Sequence, residues 1–267
     1  MSLEQQCTDV GIRLVRGDER WDVVLARPER RNAQLPSTWR ALRAVGEAVR
    51  EAGPRVVVLS GEGPSFSAGL DRAMFTGRVG DDERGLPQLA ALDDDAIDDE
   101  IAWYQGAFTW WREVDALTVA AVQGHAVGAG FQLALACDLR VVADDVAFAM
   151  KEASLGLVPD LAGTWPLVEA MGYARALEIC VTGRAVGAQE AVAGGLAVRA
   201  VPGERLAEAV DELVASLLAA PAAAATATKH LLSGAPSRTP QEQRAAERAA
   251  QRDRLRELAR ALGAGRS

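Results

Sequence analysis

Residues 118–142 read TVAAVQGHAVGAGFQLALACDLRVV, and this stretch decides the fold. The run 118–122 is apolar and rich in β-branched residues, which predicts a buried strand. Gly124 ends the run, residues 128–130 form a turn of small residues, and 131–137 is an apolar run of good helix formers. The stretch therefore predicts a strand, a small-residue turn and a buried helix.

The turn has a chemical consequence. Small side chains leave the backbone N–H groups of the first helical turn open to a ligand, and those groups have no acceptor inside the helix. The helix dipole adds partial positive charge at the same place. A carbonyl oxygen that gains negative charge is stabilised there. Tight strand–helix packing explains the turn equally well, so a catalytic site needs a second donor and an acid or base.

The same strand–turn–helix pattern recurs without a fixed period, which is typical of an α/β domain of stacked units. The predicted strands begin at residues 12, 21, 55, 118, 146 and 197. The end of the chain instead predicts helices, and residues 239–242 (TPQE) are a strong helix start with Thr as N-cap and Glu three residues later. We predict a core domain at 1–203 and a helical region at 204–267.

Acidic residues are concentrated between 76 and 100, including Asp81. Such charge runs are usually solvated surface, so we predict a mobile acidic excursion with a short helix at 86–92. The next helix, predicted at 98–114, has an aromatic face that belongs either to the core or to a bulky ligand pocket. The aromatic residues concerned are Trp103, Tyr104 and Trp110.

Composition excludes several function classes. The 267 residues are 49% hydrophobic, enough for a large core, and 29 basic against 37 acidic residues give a net charge of −8. This charge argues against nucleic acid and anionic membrane surfaces as partners. The N-terminus lacks a signal-peptide core, and no run approaches the roughly 20 apolar residues of a spanning helix. The scattered Cys7, Cys137 and Cys180 indicate a reducing cytoplasm and give no zinc spacing.

Five motifs stand in the order found in the enoyl-CoA hydratase/isomerase (crotonase) family, which the chain resembles over roughly residues 21–232. The motifs are RPERRNA at 27–33, FSAGLD at 66–71, GHAVGAG at 124–130, LGLVP at 155–159 with Gly163-Thr164, and the segment 177–196. The resemblance implies a crotonase-like spiral of repeated ββα units with a C-terminal helical trimerisation region. It also implies a homotrimer or a dimer of trimers.

The resemblance further implies how an acyl-CoA thioester is bound. The backbone N–H groups of Leu70 and Ala129 form an oxyanion hole, with Ala129 in place of the family's usual glycine. The loop 27–33 contacts the CoA moiety, which is part of the substrate, and no separate cofactor or metal is implied. The residues implied in substrate or CoA contact are Arg30, Arg31, Ala33, Ala68, Gly69, Asp71 and Gly128.

Three positions set the chemistry that the resemblance implies. The hydratase pattern has two glutamates; here the first position is Gln132 and the second is Glu152. Asp160 stands where some isomerases of the family have their acid. A glutamine amide neither takes up nor releases a proton at pH 7. A mechanism with Glu152 alone or with the Glu152/Asp160 pair is therefore favoured, and Gln132 is left to orient a water or the thioester.

Two function hypotheses follow. The first is an enoyl-CoA hydratase (a lyase) or enoyl-CoA isomerase, and the second is a non-catalytic acyl-CoA binding protein, motivated by Gln132. A third, weaker hypothesis is a structural or interaction protein that uses the acidic excursion. Ser67 lacks the His/Asp pattern of a serine hydrolase. Residues 128–130 lack the third glycine and the later acidic residue of a dinucleotide-binding fingerprint, which argues against NAD binding. A histidine in a glycine turn, such as His125, is more often a loop residue than a catalyst.

Overall fold

The computed structural model describes residues 1–80 and 82–264; Asp81 of the predicted acidic excursion and residues 265–267 of the predicted helical region lie outside it. The chain divides into two compact units, the first Met1–Leu213 and the second from Val214 onwards. The proposed domain division after residue 203 stays a prediction.

The strands form two sheets. In chain order they are β1 (Ile12–Arg16), β2 (Arg20–Leu25), β3 (Val56–Gly61), β4 (Leu117–Val122), β5 (His125–Val127), β6 (Leu139–Ala143), β7 (Ala147–Ala149), β8 (Val186–Gly187) and β9 (Arg199–Val201). The larger sheet has the order β1-β2-β3-β4-β6-β9 and the smaller has β5-β7-β8. The β1–β2 pair is antiparallel and the other neighbours in the larger sheet are parallel, as buried apolar strands favour.

Helices follow most of the strands. They are α1 (Leu3–Asp9), α2 (Pro36–Ala52), α3 (Arg72–Thr76), α4 (Leu86–Leu89), α5 (Asp94–Glu113), α6 (Ala129–Ala136), α7 (Thr164–Met171), α8 (Tyr173–Thr182), α9 (Ala188–Ala193), α10 (Leu206–Ala219), α11 (Ala222–Gly234) and α12 (Pro240–Ala264). Helix α5 begins four residues before the predicted start because the Asp93 side chain caps it, accepting from the Ala96 N–H at 2.9 Å.

The predicted strand–turn–helix around residue 118 is present as β4, β5 and α6, with one addition. The turn contains the three-residue strand β5, which pairs with β7 and starts the smaller sheet. Strands β5, β6 and β8 were not expected from the sequence. All eight residues of α6 are buried, and the core lies where α2, α5 and α6 pack together.

The C-terminal unit contains the predicted start of α12. The Glu242 carboxylate accepts the Thr239 N–H at 2.7 Å, and the Glu242 N–H donates to the Thr239 hydroxyl at 3.3 Å, which confirms the capping box. In the described part of the chain no single helix is long and apolar enough to cross a membrane. One bent pair, Gly203–Ala219 with Ala222–Ser237, meets the length and composition criteria when its two parts are taken together.

Candidate active site

Two turns, the first at residues 66–71 and the second at 124–130, lie side by side. The Ser67 N–H donates to the His125 carbonyl at 2.9 Å, and the Val127 N–H donates to the Ser67 carbonyl at 3.0 Å. Gly69 has a φ of +83°, and a Cβ there would lie 2.4 Å from the Val127 oxygen. This close approach requires glycine, and it brings the backbone around Leu70 next to the start of α6.

Ser67 holds the first turn in shape. Its hydroxyl donates to the Asn32 carbonyl at 2.8 Å and accepts from the Gln34 amide at 3.0 Å and the Gly69 N–H at 3.2 Å. The Gln34 amide oxygen in turn accepts from the Trp39 indole at 2.8 Å. All of these contacts are made within the protein, so the buried Ser67 hydroxyl stabilises the conformation of the first turn.

Leu70 and Ala129, the two predicted backbone N–H donors, line a common cavity. Among the described residues neither group has a hydrogen-bond partner, and both residues line a cavity of about 380 Å³. The cavity is lined by Trp39, Leu70, Met74, Leu86, Leu89, Ala90, Ile97, Ile101, Tyr104, Ala129, Glu152, Leu157, Val158, Asp160 and Leu161. Of the three predicted acid/base positions, Glu152 and Asp160 lie in this lining.

Glu152 stands at the start of a short 3₁₀ turn and is only 9% exposed. Its Oε1 accepts from the Gln132 amide nitrogen at 2.8 Å, whereas its Oε2 is buried without a partner in the described chain. A Cβ at Gly128 would lie 3.2 Å from Oε1, so the second turn passes directly beside the carboxylate. A buried carboxylate oxygen without a partner is costly and is typical of a functional group.

Gln132 is 1% exposed and does not line the cavity. Its Oε1 accepts the Leu161 N–H at 2.9 Å and the Gly163 N–H at 3.3 Å. These two donors fix the orientation of the amide, so its nitrogen must face Glu152. Gln132 thus connects the carboxylate to the loop that carries Asp160.

Asp160 is the second carboxylate in the lining. The Gln105 side chain donates to its backbone carbonyl at 2.8 Å, which ties the loop to α5. Burial raises the pKa of Asp160 above its ordinary value. The pKa of Glu152 is also raised, chiefly by burial and further by the charge of Asp160, while the hydrogen bond from Gln132 opposes the shift. Both side chains therefore hold a proton more readily than free carboxylates do.

The loop predicted to contact CoA runs beside the first turn. The Asn32 amide donates to the Glu62 and Ser65 carbonyls at 2.9 Å each, and the Ala68 N–H donates to the Arg31 carbonyl at 2.8 Å. The side chains of Arg30 and Arg31 are exposed and form no ion pair with the described residues. They lie outside the cavity lining, where a phosphate can reach them.

Asp71 has a structural environment. Its Oδ1 accepts the Ala73 N–H at 3.1 Å and caps α3, and its Oδ2 lies 3.3 Å from the Arg27 guanidinium. Arg27 also donates to the Ala33 carbonyl at 3.1 Å. Both carboxylate oxygens of Asp71 are thus engaged, and the predicted substrate contact of Asp71 stays a prediction. The bracing role of Arg27 was not foreseen, because one arginine in a charged loop carries no distinguishing signal.

The acidic segment differs from the expectation of plain solvated surface. Those of its acidic side chains that the structure describes lie outside the cavity lining, but Leu86, Leu89 and Ala90 line the cavity. Among the three aromatic residues singled out in α5, Tyr104 lines the cavity, Trp110 stacks on Trp111 in the core, and Trp103 lies under Arg40 and Arg43. Most of the lining was missed, since apolar cavity residues have the same sequence pattern as core residues.

His125 is exposed, outside the cavity lining, with its Nδ1 3.4 Å from the Ser65 hydroxyl. Within residues 1–80 and 82–264, no group of three or more His, Cys, Asp or Glu side chains is arranged to hold a metal ion. The groups that line the cavity are suited to one arrangement known from other enzymes, in which two N–H donors hold an oxyanion while carboxylates move protons beside it.

Comparison with known proteins gives consistent results. The family model described as "Enoyl-CoA hydratase/isomerase" matches residues 21–264. A Thermus thermophilus protein named "Putative enoyl-CoA hydratase" is 38% identical over 192 residues, 70% of each chain. A crystal structure of "a putative enoyl-CoA hydratase" from Thermobifida fusca YX, in complex with acetoacetyl-CoA, has 46% identity and a TM-score of 0.90, covering 95% of this chain and 98% of that one. The same protein in complex with CoA gives 46% identity and a TM-score of 0.89, with coverages of 96% and 97%.

Proposed function

This chain belongs to the enoyl-CoA hydratase/isomerase family with the crotonase-like fold, and within it we propose an enzyme that shifts the C=C bond of an enoyl-CoA. The thioester oxygen is held by the N–H groups of Leu70 and Ala129. The observation that carries the proposal is that these two donors and the Glu152 Oε2 have no partner among the described residues, and that all three residues line one cavity.

The first step is removal of a proton from the carbon next to the thioester. The Glu152 Oε2 accepts this proton, and the electron pair of the broken C–H bond passes to the thioester oxygen as an enolate. Loss of one such oxyanion donor in other enzymes costs about 2.7–4 kcal/mol of transition-state stabilisation. The acetoacetyl-CoA complex of the Thermobifida fusca relative supports an acyl-CoA thioester as the ligand.

The second step returns a proton to the other end of the allylic system, so that the double bond moves by one carbon. The protonated Glu152 or a protonated Asp160 supplies it; the raised pKa of Asp160, caused by burial, favours its protonated form. Gln132 does not titrate, and both ends of its amide are bound to the protein. In this proposal the two carboxylates of the cavity transfer the protons, and the reaction uses no cofactor apart from the CoA moiety of the substrate itself.

Hydration of a 2-enoyl-CoA is the second candidate. It is favoured by the names of the relatives, two of which are described as enoyl-CoA hydratases. In that reaction Glu152 alone would activate water and protonate the enolate. Gln132 would then supply no proton, in contrast to the two-glutamate pattern.

The test uses 3-enoyl-CoA and 2-enoyl-CoA esters with the wild type and Glu152→Gln. Isomerisation of the 3-enoyl ester forms the conjugated thioester and raises its ultraviolet absorbance, whereas hydration of the 2-enoyl ester lowers it. Glu152→Gln should reduce turnover by about 10²–10⁴-fold, the usual contribution of a general acid–base, and keep thioester binding. Full activity in Glu152→Gln would remove this residue from the mechanism. Binding without turnover of either ester by the wild type would favour a non-catalytic acyl-CoA binding protein.

Self-association as a homotrimer or a dimer of trimers is also part of the proposal. Helix α8 presents Tyr173, Leu177 and Val181 to the outside at spacings of four residues. An exposed apolar stripe of this kind is typical of a protein–protein contact. Light scattering coupled to size-exclusion chromatography measures the mass; a monomer at micromolar concentration would contradict the proposal.

A further inference from the structure

We infer that the acyl group bound in this cavity is a hydrocarbon chain of medium length without an anionic end, and that α4 and α5 set its length limit. The inference rests on the proposed function for one point, the place of the thioester oxygen between Leu70 and Ala129. With that oxygen fixed, the rest of the acyl group must extend along the other walls of the cavity.

Those walls are apolar. Met74 of α3, Leu86 and Leu89 of α4, and Ile97 and Ile101 of α5 all line the cavity. Its volume of about 380 Å³ falls at the lower end of the range for small-molecule sites. Apolar burial gains roughly fourfold in affinity per methylene, from about 0.8 kcal/mol each. A longer chain therefore binds more tightly until it meets the wall.

The charge of the lining excludes an anionic chain end. The described residues that line the cavity include no lysine or arginine, and two of them are the carboxylates Glu152 and Asp160. The hydroxyl of Tyr104, which also lines the cavity, already donates to the Glu100 carboxylate at 2.9 Å. A carboxylate at the far end of the acyl chain would be buried without a counter-ion, which is strongly unfavourable.

Two contacts hold the α4 wall in place. The Glu83 carboxylate accepts the Ser37 N–H in the first turn of α2 at 2.5 Å, and Arg84 pairs with Glu100 of α5 at 2.8 Å. These contacts flank α4 on its N-terminal side and connect it to two long helices. A wall attached in this way acts as a limit on chain length.

The experiment measures binding of saturated thioesters, which do not react, by isothermal titration calorimetry. The wild type should bind octanoyl-CoA at least about tenfold more tightly than butyryl-CoA. It should bind the octanedioyl half-thioester of CoA at least about tenfold more weakly than octanoyl-CoA. Ile101→Trp fills the cavity and should abolish the preference for octanoyl-CoA. The matched control Ala102→Trp places the same side chain at the next position of α5, which is exposed, and should keep it.

Leu89→Trp tests the α4 wall independently, and thermal melts identify any variant that fails to fold. The inference is overturned if folded Ile101→Trp and Leu89→Trp both keep the octanoyl preference, or if the octanedioyl thioester binds as tightly as octanoyl-CoA. Because binding is measured without turnover, the chain-length preference can hold while no enoyl-CoA is converted. A chain-length preference without turnover would reject the proposed function and support this inference. Turnover without a chain-length preference would support the proposed function and reject this inference.

Discussion

At the scale of single residues, the orientation of one amide decides which oxygen of Glu152 carries a proton. Gln132 donates to Oε1 because its own oxygen is occupied by two backbone N–H groups. An oxygen that accepts a fixed hydrogen bond is a poor site for a proton. A proton taken up by Glu152 is therefore expected on Oε2, the atom without a protein partner among the described residues.

Replacement of Gln132 by Met should raise the pH at which activity appears. The substitution removes the donor that opposes the upward shift in the pKa of Glu152, so the base becomes ionised at higher pH. The acid limb of the kcat/KM profile should move to higher pH. An unmoved limb in a folded variant would show that the amide has no electrostatic effect on the base.

Asp160→Asn should move the same limb in the opposite direction. The charge of Asp160 raises the pKa of Glu152, and the neutral amide removes that contribution. The base then ionises at lower pH, so activity should extend further into acid, with kcat itself lower by up to about 10²-fold if Asp160 returns the proton. An acid limb that moves to higher pH, as expected for Gln132→Met, would show that the charge of Asp160 does not raise the pKa of Glu152.

The resemblance supplied the register that singled out Glu152 and Asp160, which line the cavity, and their acid/base roles stay a prediction. Glu152 alone, beside Lys151, has the pattern of a surface carboxylate. The Gln132 amide donates to Oε1 of Glu152 and not to Oε2. This arrangement depends on the loop at 161–163, which folds back onto α6 and holds the Gln132 amide oxygen. That contact joins residues about thirty positions apart in the chain, and no local pattern encodes it.

At the scale of elements, the two ends of α6 have different surroundings. Its N-terminus provides the Ala129 donor, and near its carboxyl end stands Arg140, which is 8% exposed. The Arg140 guanidinium donates to the carbonyls of Cys137, at 2.7 Å, and Leu196. A buried cation that satisfies carbonyls near a helix C-terminus is favourable through hydrogen bonding and the helix dipole.

Arg140→Met should destabilise the protein by at least about 3 kcal/mol, because several buried carbonyls lose their donor at about 1–3 kcal/mol each. Urea unfolding measures the change. The control Arg13→Met removes an exposed arginine paired with Glu62, and it should cost no more than about 1 kcal/mol. Equal effects of the two substitutions would mean that burial of Arg140 does not matter.

Several elements with a strong pattern were predictable, whereas the five-residue strand β6 and the very short strands were not. The apolar run before Gly124 predicted β4, and the capping residues of α12 predicted its first turn. Strands β5 and β8 have three and two residues, too few for any periodicity. Their pairing with β7 is decided by tertiary packing alone.

At the scale of the whole molecule, the candidate site costs stability at neutral pH. The pKa of Glu152 is raised by burial, so the folded protein binds this proton more tightly than the unfolded chain does. The resulting stabilisation is complete below the unfolded pKa, about 4.3, and is lost as the pH rises through the higher folded pKa. Removal of the Glu152 carboxyl is therefore expected to increase the stability of the folded protein at neutral pH.

Glu152→Gln should melt at a higher temperature than the wild type at pH 7, since a neutral amide avoids the buried charge and its oxygen still accepts from Gln132. The difference should shrink as the pH falls toward about 4, where the wild-type carboxyl is protonated in both states. Calorimetric melts across this range measure the effect. A difference that stays constant with pH would exclude ionisation as its cause.

Helix α4 has only four residues, of which Leu86 and Leu89 line the cavity, and the side chains of Arg78 and Arg84, which precede it, are exposed. A protease that cuts after arginine must pull this short segment away from its neighbours, which an occupant of the cavity resists. Limited trypsin digestion should therefore slow at Arg84 when an acyl-CoA is added and change little with CoA alone. The rate of cleavage at this exposed arginine would then indicate whether the cavity is occupied.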